Sequence, residues 1–275
     1  MNQAPTVSVC IPTYCGAAHL GATIESVLNQ DFTDFELVVI DDNSPDNTYS
    51  IIASFQDNRI RYIKNFVNLG PEGNWNRCLE EARGKYFKLL PQDDVLAPSC
   101  LREQIEVLDN DNNNTIAFVF CSRNIINNNG RIIMKRGYSG DVKGSISKNQ
   151  AITKCIRRGT NLIGEPGAVM FRKSLADKIG KFDGSISYII DLDYWFRLLL
   201  HGDAYYIDAP LASFRVSSGS WSVAIGNKQS VDFCLFIDKY ADNTDFKLKG
   251  MDVILGKFMT KINNCLRMIF YKLAI

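Results

Sequence analysis

Short apolar runs alternate with amphipathic segments along the first 120 residues of the chain. The runs that predict buried strands are 7–11, 35–40, 59–63, 85–90 and 116–120. Between them, apolar residues recur at helical spacing, as in Leu20, Ile24 and Val27. Strands that alternate with helices in this way predict an α/β fold with a doubly wound, mainly parallel sheet.

Two of these runs end in adjacent aspartates, Asp41-Asp42 and Asp93-Asp94. Ligands of a doubly wound sheet bind beyond the carboxyl ends of its strands, so both pairs are expected on the same rim. Neighbouring carboxylates repel each other, and a hard divalent cation in the same space would relieve that repulsion. Aspartates are also common in turns and at helix N-termini for backbone reasons, and this alternative stays open.

Composition and charge place the chain among ordinary globular proteins. It has 275 residues, 46% hydrophobic and 22% charged, with a net charge of +1. No charged and apolar leader precedes the strand at 7–11, so we expect a cytoplasmic protein without a secretory signal. The charge balance does not indicate nucleic-acid binding.

Cysteine and histidine offer little candidate chemistry. The eight cysteines form no C-x-x-C pair, which predicts neither a disulfide framework nor a zinc site. The two histidines, His19 and His201, are too few for a histidine metal cluster. Carboxylate chemistry is therefore favoured over a Ser-His-Asp triad.

A set of motifs in fixed order carries a family resemblance. The motifs are Val-Ser-Val-Cys-Ile-Pro-Thr-Tyr at 7–14, Glu-Leu-Val-Val-Ile-Asp-Asp-Asn-Ser at 36–44, Asn-Leu-Gly at 68–70, Gln-Asp-Asp at 92–94 and Asp-Leu-Asp-Tyr-Trp-Phe-Arg-Leu at 191–198. Over about residues 6–220 the chain resembles the family 2 glycosyltransferases of GT-A fold. The resemblance implies a catalytic domain at 1–222, divided into a nucleotide-sugar half (1–121) and an acceptor half (122–222), followed by C-terminal helices at 223–275.

The resemblance also implies an activity. A sugar would pass with inversion from a nucleotide diphosphate donor, most often a UDP-sugar, to a hydroxyl of a saccharide or lipid-linked acceptor in surface polysaccharide synthesis. The residues that it places at the nucleotide sugar are Pro12, Thr13, Tyr14, Asp42, Asn74, Asn76 and Asp93.

The same resemblance implies a divalent metal, Mn²⁺ or Mg²⁺, on the donor diphosphate. Asp94 is expected to hold it, with Asp93 beside it at the ribose or sugar. Two departures leave fewer protein ligands for the metal than expected. Pro91 replaces a further aspartate of many relatives, and Ser217 replaces a frequent histidine. Arg215 is then either a phosphate contact or part of a surface salt bridge.

On the acceptor side, the resemblance makes Asp191 the general base, with Asp193 as the fallback. A lone aspartate at the start of a helix can also be an N-cap and nothing more. Glu165 and Trp195 are expected to face the acceptor.

The segment 247–275 predicts a separate basic helix. Its net charge is +5, so the rest of the chain is −4. One helical stripe collects its apolar residues: Met251, Ile254, Leu255, Phe258, Ile262, Leu266, Ile269 and Leu273. Two interpretations stay open, a peripheral helix on the inner face of an anionic membrane and a helix packed on the catalytic domain.

Other functions fit less well. A sugar nucleotidyltransferase would favour a Gly-rich basic loop after the first strand, and the loop at 12–16 has no basic residue. A catalytically inactive GT-A-like nucleotide binder stays open because of the two departures.

Overall fold

The computed structural model describes residues 4–138, 143–217, 223 and 225–274. Within these ranges one ten-stranded sheet carries helices on both faces. The strands are β1 Val7–Thr13, β2 Phe35–Asp41, β3 Ile60–Lys64, β4 Tyr86–Leu89, β5 Val95–Leu96, β6 Ile116–Ile126, β7 Ile132–Arg136, β8 Gly144–Ile146, β9 Val169–Arg172 and β10 Asp203–Arg215.

The described helices follow the predicted alternation. They are α1 Leu20–Leu28, α2 Thr48–Ala53, α3 Gly70–Glu81, α4 Cys100–Asn110, α5 Lys148–Arg158, α6 Lys173–Ile179, α7 Ile190–Leu199, α8 Lys228–Ala241 and α9 Gly250–Ala274. Single 3₁₀ turns at Pro166–Ala168 and Ser187–Ile189 precede β9 and α7. Local sequence explains the bounds of α5, because Ser147 and Gln150 form a capping box and Gly159 closes the helix in the left-handed region.

The sheet order is β3-β2-β1-β4-β9-β6-β10-β5, with β7 beside β6 and β8 beside β10. The long ladders β3-β2-β1-β4 and β6-β10 are parallel. β9 joins these two groups by short antiparallel pairings to β4 and β6. The α/β class with a mainly parallel sheet is confirmed, and the described strands of segments 1–121 and 122–222 share one sheet.

Two apolar layers enclose the sheet. Successive residues of β1 face opposite layers, Cys10 on one side and Val9 and Ile11 on the other. The first layer contains α3, α5, α7 and α8, and the second contains α1 and α4. Burial on both faces explains why the central strands are continuous apolar runs, and it leaves the strand ends as the place for polar chemistry.

Candidate active site

The loop after β1 is held by a residue that sequence analysis missed, Gln92. Its Oε1 accepts hydrogen bonds from Thr13 Oγ1 at 2.6 Å and from Tyr14 N at 2.9 Å, and its Nε2 donates to Tyr14 O at 3.1 Å. Pro12 and Thr13 are buried, whereas the Tyr14 side chain is exposed. These three hydrogen bonds of Gln92 to Thr13 and Tyr14 form a cradle for the loop. The cradle fixes the backbone of Tyr14 and leaves its ring exposed to solvent. The sequence signal for Gln92 was its position directly before the acid pair.

Gly16 is packed against this cradle. A Cβ at Gly16 would lie 2.6 Å from Gln92 Oε1 and would also collide with Thr13 Oγ1. No real Cβ makes such contacts, so the loop requires glycine here for space rather than for backbone conformation.

Asp42 organises the start of α3. Its Oδ1 accepts from Asn65 Nδ2 and Leu69 N, both at 2.8 Å, and its Oδ2 accepts from Gly70 N at 2.9 Å. Asn65 Nδ2 also donates to Asn74 Oδ1 at 3.2 Å. Asp42 is only 2% exposed, so these three donors leave its carboxylate little room for a ligand.

Two polar residues near this end of the sheet have structural partners. Asn76 exchanges hydrogen bonds with the backbone of Phe182, donating to its O at 3.1 Å and accepting from its N at 2.7 Å. The buried amide therefore ties α3 to the turn before α7, and the geometry does not support the predicted nucleotide contact. Asp41 accepts from Ser44 N and Tyr62 Oη, so it takes the turn role left open above.

The two acids of the second pair have different surroundings. Asp94 is 2% exposed, and its Oδ1 accepts from Arg215 N at 2.9 Å. Its Oδ2 faces Gly167, where a Cβ would lie 3.6 Å away. Burial and the charge of Asp93 raise the pKa of Asp94 well above its ordinary range. Asp93 keeps partial solvent exposure.

Arg215 ties the acid turn to the β6–β7 hairpin. Its Nε donates to Asp93 O, and its Nη1 donates to Asn127 O and Asn128 O, each at 2.9 Å. The residue is buried, and these contacts are to backbone carbonyls. Burial and these backbone contacts do not support the surface salt bridge considered above, and the phosphate contact stays a prediction. His19, from the start of α1, reaches the same hairpin through Asn128 Oδ1 at 2.9 Å.

The acid pair fits a metal that the substrate helps to bind. Among the described residues, no cluster of three or more His, Cys, Asp or Glu side chains could hold a metal ion. Mg²⁺ is commonly held by one or two carboxylates together with substrate phosphates and waters, so an incomplete protein shell is expected. The partly exposed carboxylate of Asp93 suits this arrangement better than that of Asp94, whose oxygens face Arg215 N and Gly167.

Asp191 lies in the first turn of α7 and is partly exposed. Its Oδ2 accepts from Asn161 Nδ2 at 3.0 Å, and its Oδ1 accepts from Leu192 N at 2.7 Å. The surrounding protein and the negative charge of Glu165 raise the pKa of Asp191 to about 7. A carboxylate with that pKa can both accept and release a proton near neutral pH.

Glu165 lies in the loop before β9 and forms an ion pair with the buried Arg123 of β6. Burial opposes ionisation of Glu165, but the charges of Arg123 and Arg136 lower its pKa below its ordinary value. Glu165 therefore stays charged, which is how it acts on Asp191. The charge of Glu165 also acts on Asp94, so this loop lies between the two acid sites.

Trp195 packs beneath the loop before β9. It is fully buried, and its Nε1 donates to Gly164 O at 3.1 Å. Asn161 holds the same glycine, donating to Gly164 O and accepting from Gly164 N. The expectation that Trp195 itself faces the acceptor is thus not supported, because its ring lies in the core below the loop.

Asp193, the fallback base, is a structural anchor. Its Oδ2 accepts from Arg197 Nε at 2.9 Å, and its Oδ1 accepts from Lys239 Nζ at 2.8 Å and Tyr240 Oη at 2.9 Å. The residue is buried between α7 and α8. Three donors occupy this carboxylate, so the geometry favours Asp191 as the base.

Comparisons with known proteins identify related sequences and folds. A family model described as glycosyl transferase family 2 matches residues 8–180. An uncharacterised protein of Mycobacterium tuberculosis is 31% identical over 220 residues, 77% of this chain and 67% of that protein. An uncharacterised glycosyltransferase of Rickettsia typhi is 30% identical over 219 residues, 78% of this chain and 65% of that protein. The chain therefore spans about two thirds of the length of these relatives.

A relative with a named activity matches a shorter segment. The UDP-Glc:alpha-D-GlcNAc-diphosphoundecaprenol beta-1,3-glucosyltransferase WfgD of Escherichia coli is 36% identical over 123 residues, 45% of this chain and 47% of WfgD.

Solved structures share the fold at low identity. S. aureus TarS 1-349 in complex with UDP-GlcNAc superposes with a TM-score of 0.69 at 18% identity, covering 95% of this chain and 73% of that one. The mannosyltransferase PcManGT of Pyrobaculum calidifontis, in complex with GDP-Man and Mn²⁺, superposes with a TM-score of 0.62 at 16% identity, covering 99% and 74%. At such identities the likeness concerns the fold alone.

Proposed function

This chain belongs to glycosyltransferase family 2 and is a glycosyltransferase, and from that premise we propose that it moves a sugar from a UDP-sugar to a hydroxyl of a lipid-linked saccharide in surface polysaccharide synthesis. The observation that carries the proposal is Asp191, a partly exposed carboxylate with a pKa of about 7, held by Asn161 beside the loop that separates it from the acid pair. The WfgD relative, named for a UDP-Glc donor and a diphosphoundecaprenol acceptor, supports the substrate classes.

The donor would bind at the carboxyl ends of β1, β2 and β4. Gln92 fixes the backbone of Tyr14. The exposed ring can therefore contact the nucleotide without the entropy cost of ordering that backbone at binding. Asp42 would accept an N–H of the base only by giving up one of its three donors, because the residue is 2% exposed. Thr13 holds the same cradle from within, and Pro12 lies beside it in β1.

The metal, Mn²⁺ or Mg²⁺, would be held by Asp93, with Asp94 fixing the acid turn through Arg215 N. This assignment reverses the weight that the resemblance gave to the two acids, because Asp94 is enclosed. A bound divalent cation supplies positive charge to the nucleoside diphosphate that leaves, a stabilisation of several kcal/mol.

Asp191 would act as general base in a single displacement. The acceptor oxygen forms a bond to the anomeric carbon while the bond from that carbon to the diphosphate oxygen breaks. The acceptor hydroxyl proton passes to Asp191, and the electron pair of the broken bond leaves with the nucleoside diphosphate. One displacement inverts the anomeric centre, and Asn161 keeps the carboxylate in place during the transfer.

The test separates binding from turnover. We expect calorimetry to detect UDP binding in the presence of Mn²⁺ or Mg²⁺ that chelator and Asp93→Ala abolish. Sugar transfer from UDP-Glc or UDP-GlcNAc to a lipid diphosphate-linked GlcNAc should be lost in Asp191→Asn while UDP binding is retained. Binding of UDP without transfer to any saccharide acceptor by the unmodified chain would favour the inactive binder, and absence of UDP binding would contradict the donor assignment.

A further inference from the structure

The last helix, α9, packs on the domain with its polar side. Its buried positions recur every four residues and are small or polar: Asp252, Gly256, Thr260 and Asn264. Thr260 Oγ1 donates to Gly159 O at 3.4 Å, and a Cβ at Gly256 would press on Ile156 O at 2.5 Å. This face meets α5 closely through backbone and polar contacts, and beside it Val253 packs on the apolar core.

The opposite side of α9 is apolar and exposed. Its apolar stripe consists of six side chains that are 37–68% exposed: Met251, Ile254, Phe258, Ile262, Leu266 and Ile269. The stripe runs over five turns, about 27 Å at 1.5 Å per residue. A helix that simply covers a domain turns its apolar side inward, and α9 does the reverse. Of the predicted stripe, Leu255 is half-buried and Leu273 lies outside the described side chains.

Cations border the stripe on both sides. Helical geometry places Lys261 and Lys272 along one flank, where Lys257 is paired with Asp238 of α8. On the other flank, a groove of about 750 Å³ between α5 and α9 is lined by Lys154, Arg157, Arg158, Leu255 and Met259 among others. From 253 to 274 the sequence contains no Asp or Glu, and Asp252 is buried beside Arg157 at 3.3 Å. The whole face thus combines apolar surface with positive charge.

We propose that the apolar stripe and its bordering cations bind the surface of an anionic phospholipid bilayer, with α9 lying in the plane of the interface. A bilayer supplies hydrocarbon to the stripe and phosphates to the cations at the same depth. A second copy of the chain docked stripe to stripe would instead bring basic flanks together, which is unfavourable. In the part of the chain that the structure describes, no helix is long and apolar enough to span a bilayer, so contact with its surface is the mode that fits.

The position of α9 relates this surface to the acceptor side. The guanidinium of Arg267 lies 5.4 Å from the centre of the Tyr188 ring, and Tyr188 belongs to the 3₁₀ turn that leads into α7 and Asp191. A lipid-linked acceptor in the same bilayer would therefore approach near the base. This last step rests on the proposed function, whereas the lipid binding itself does not.

The experiment is co-flotation of the full chain with vesicles of phosphatidylcholine alone and of phosphatidylcholine mixed with phosphatidylglycerol, whose anionic headgroups make the surface negative. We expect binding to the anionic vesicles that weakens at high salt. Replacing three stripe residues, Ile254→Ser with Phe258→Ser and Ile262→Ser, should weaken it by about tenfold or more. The double substitution Lys261→Glu with Lys272→Glu should also weaken binding to the anionic vesicles, by about fivefold or more for each lysine.

The matched control is Phe66→Ser with Val67→Ser, which removes two exposed apolar side chains from the loop before α3 and should leave flotation unchanged. All changed residues are exposed or partly exposed at the surface, so thermal melting should match the unmodified chain and exclude misfolding as the cause. Equal flotation of the stripe variant and the unmodified chain would overturn the proposal. A dimer in light scattering that the stripe variant converts to monomer, without vesicle binding, would overturn it in favour of a second copy. UDP binding, measured on the same samples, tests the donor site separately.

Discussion

Asp191 and Asp193, two residues apart on α7, face opposite environments. Asp191 is partly exposed and accepts a hydrogen bond from Asn161, whereas Asp193 accepts from Lys239 and Tyr240 of α8 in the interior. Residues i and i+2 of a helix point about 200° apart, so the two carboxylates cannot serve the same site. The helix thus separates the proposed base from an anchoring acid.

Exchanging each acid in turn should have different consequences. We expect Asp191→Asn to lower kcat by about 10²–10⁴-fold, because general-base catalysis contributes that much, with UDP affinity and melting temperature near those of the unmodified chain. Asp193→Ala should instead lower the free energy of unfolding by about 1–3 kcal/mol, because it leaves buried donors without an acceptor. Steady-state kinetics and denaturant melts measure the two effects. A larger loss of kcat in a folded Asp193→Ala protein would reverse the assignment.

The pH dependence of kcat/KM should report Asp191, because this ratio depends on the free enzyme. A base must be deprotonated to accept a proton, so kcat/KM should rise with pH through about 7, the pKa of Asp191. The negative charge of Glu165 contributes to that raised pKa, so Glu165→Gln should move the rising limb to lower pH. Glu106→Gln, a change at an exposed residue of α4, is the control that should leave the limb in place. A limb that does not move with Glu165→Gln would exclude Asp191 as the titrating group.

Replacing Asp93 and replacing Asp94 should have different effects, one on UDP binding and the other on stability. Asp93→Ala is expected to abolish Mn²⁺-dependent UDP binding with little change in stability, and chelator should have no further effect on it. Asp94→Ala leaves Arg215 N without its acceptor and should lower the free energy of unfolding by about 1–3 kcal/mol. Calorimetry with and without Mn²⁺, beside denaturant melts, distinguishes them. Metal-dependent binding that survives Asp93→Ala and disappears in folded Asp94→Ala would restore the assignment implied by the resemblance.

The donor cradle can be tested with two glycines of the same region. Gly16→Ala should push Gln92 and Thr13 apart and weaken UDP binding by about tenfold, since overpacking of this kind costs about 1–3 kcal/mol. Gly21→Ala in α1 places its Cβ 3.7 Å from Ile51, an ordinary contact, and should be neutral or stabilising by about 0.5–1 kcal/mol. UDP titrations of both variants measure the difference. Equal affinities would mean that the cradle does not position the donor.

The periodicity of the chain was enough to predict the alternating elements and the rim of the sheet. An apolar run such as 37–40 favours a strand buried on both faces, as in a parallel sheet covered by helices. The antiparallel insertion of β9 between β4 and β6 had no such signal, because a short strand pairs in either direction with the same side chains.

The sequence by itself determined the fold class, the acid pairs at the strand ends and the amphipathic character of 247–275, since each depends on local order and spacing. Only the tertiary structure decided which acid of the pair Asp93-Asp94 is enclosed, that Gln92 holds Tyr14, and that α9 packs with its polar side. The physical reason is that these properties depend on contacts between residues far apart in the chain. Arg215 reaches Asp94 across 121 positions, and no local pattern encodes that hydrogen bond.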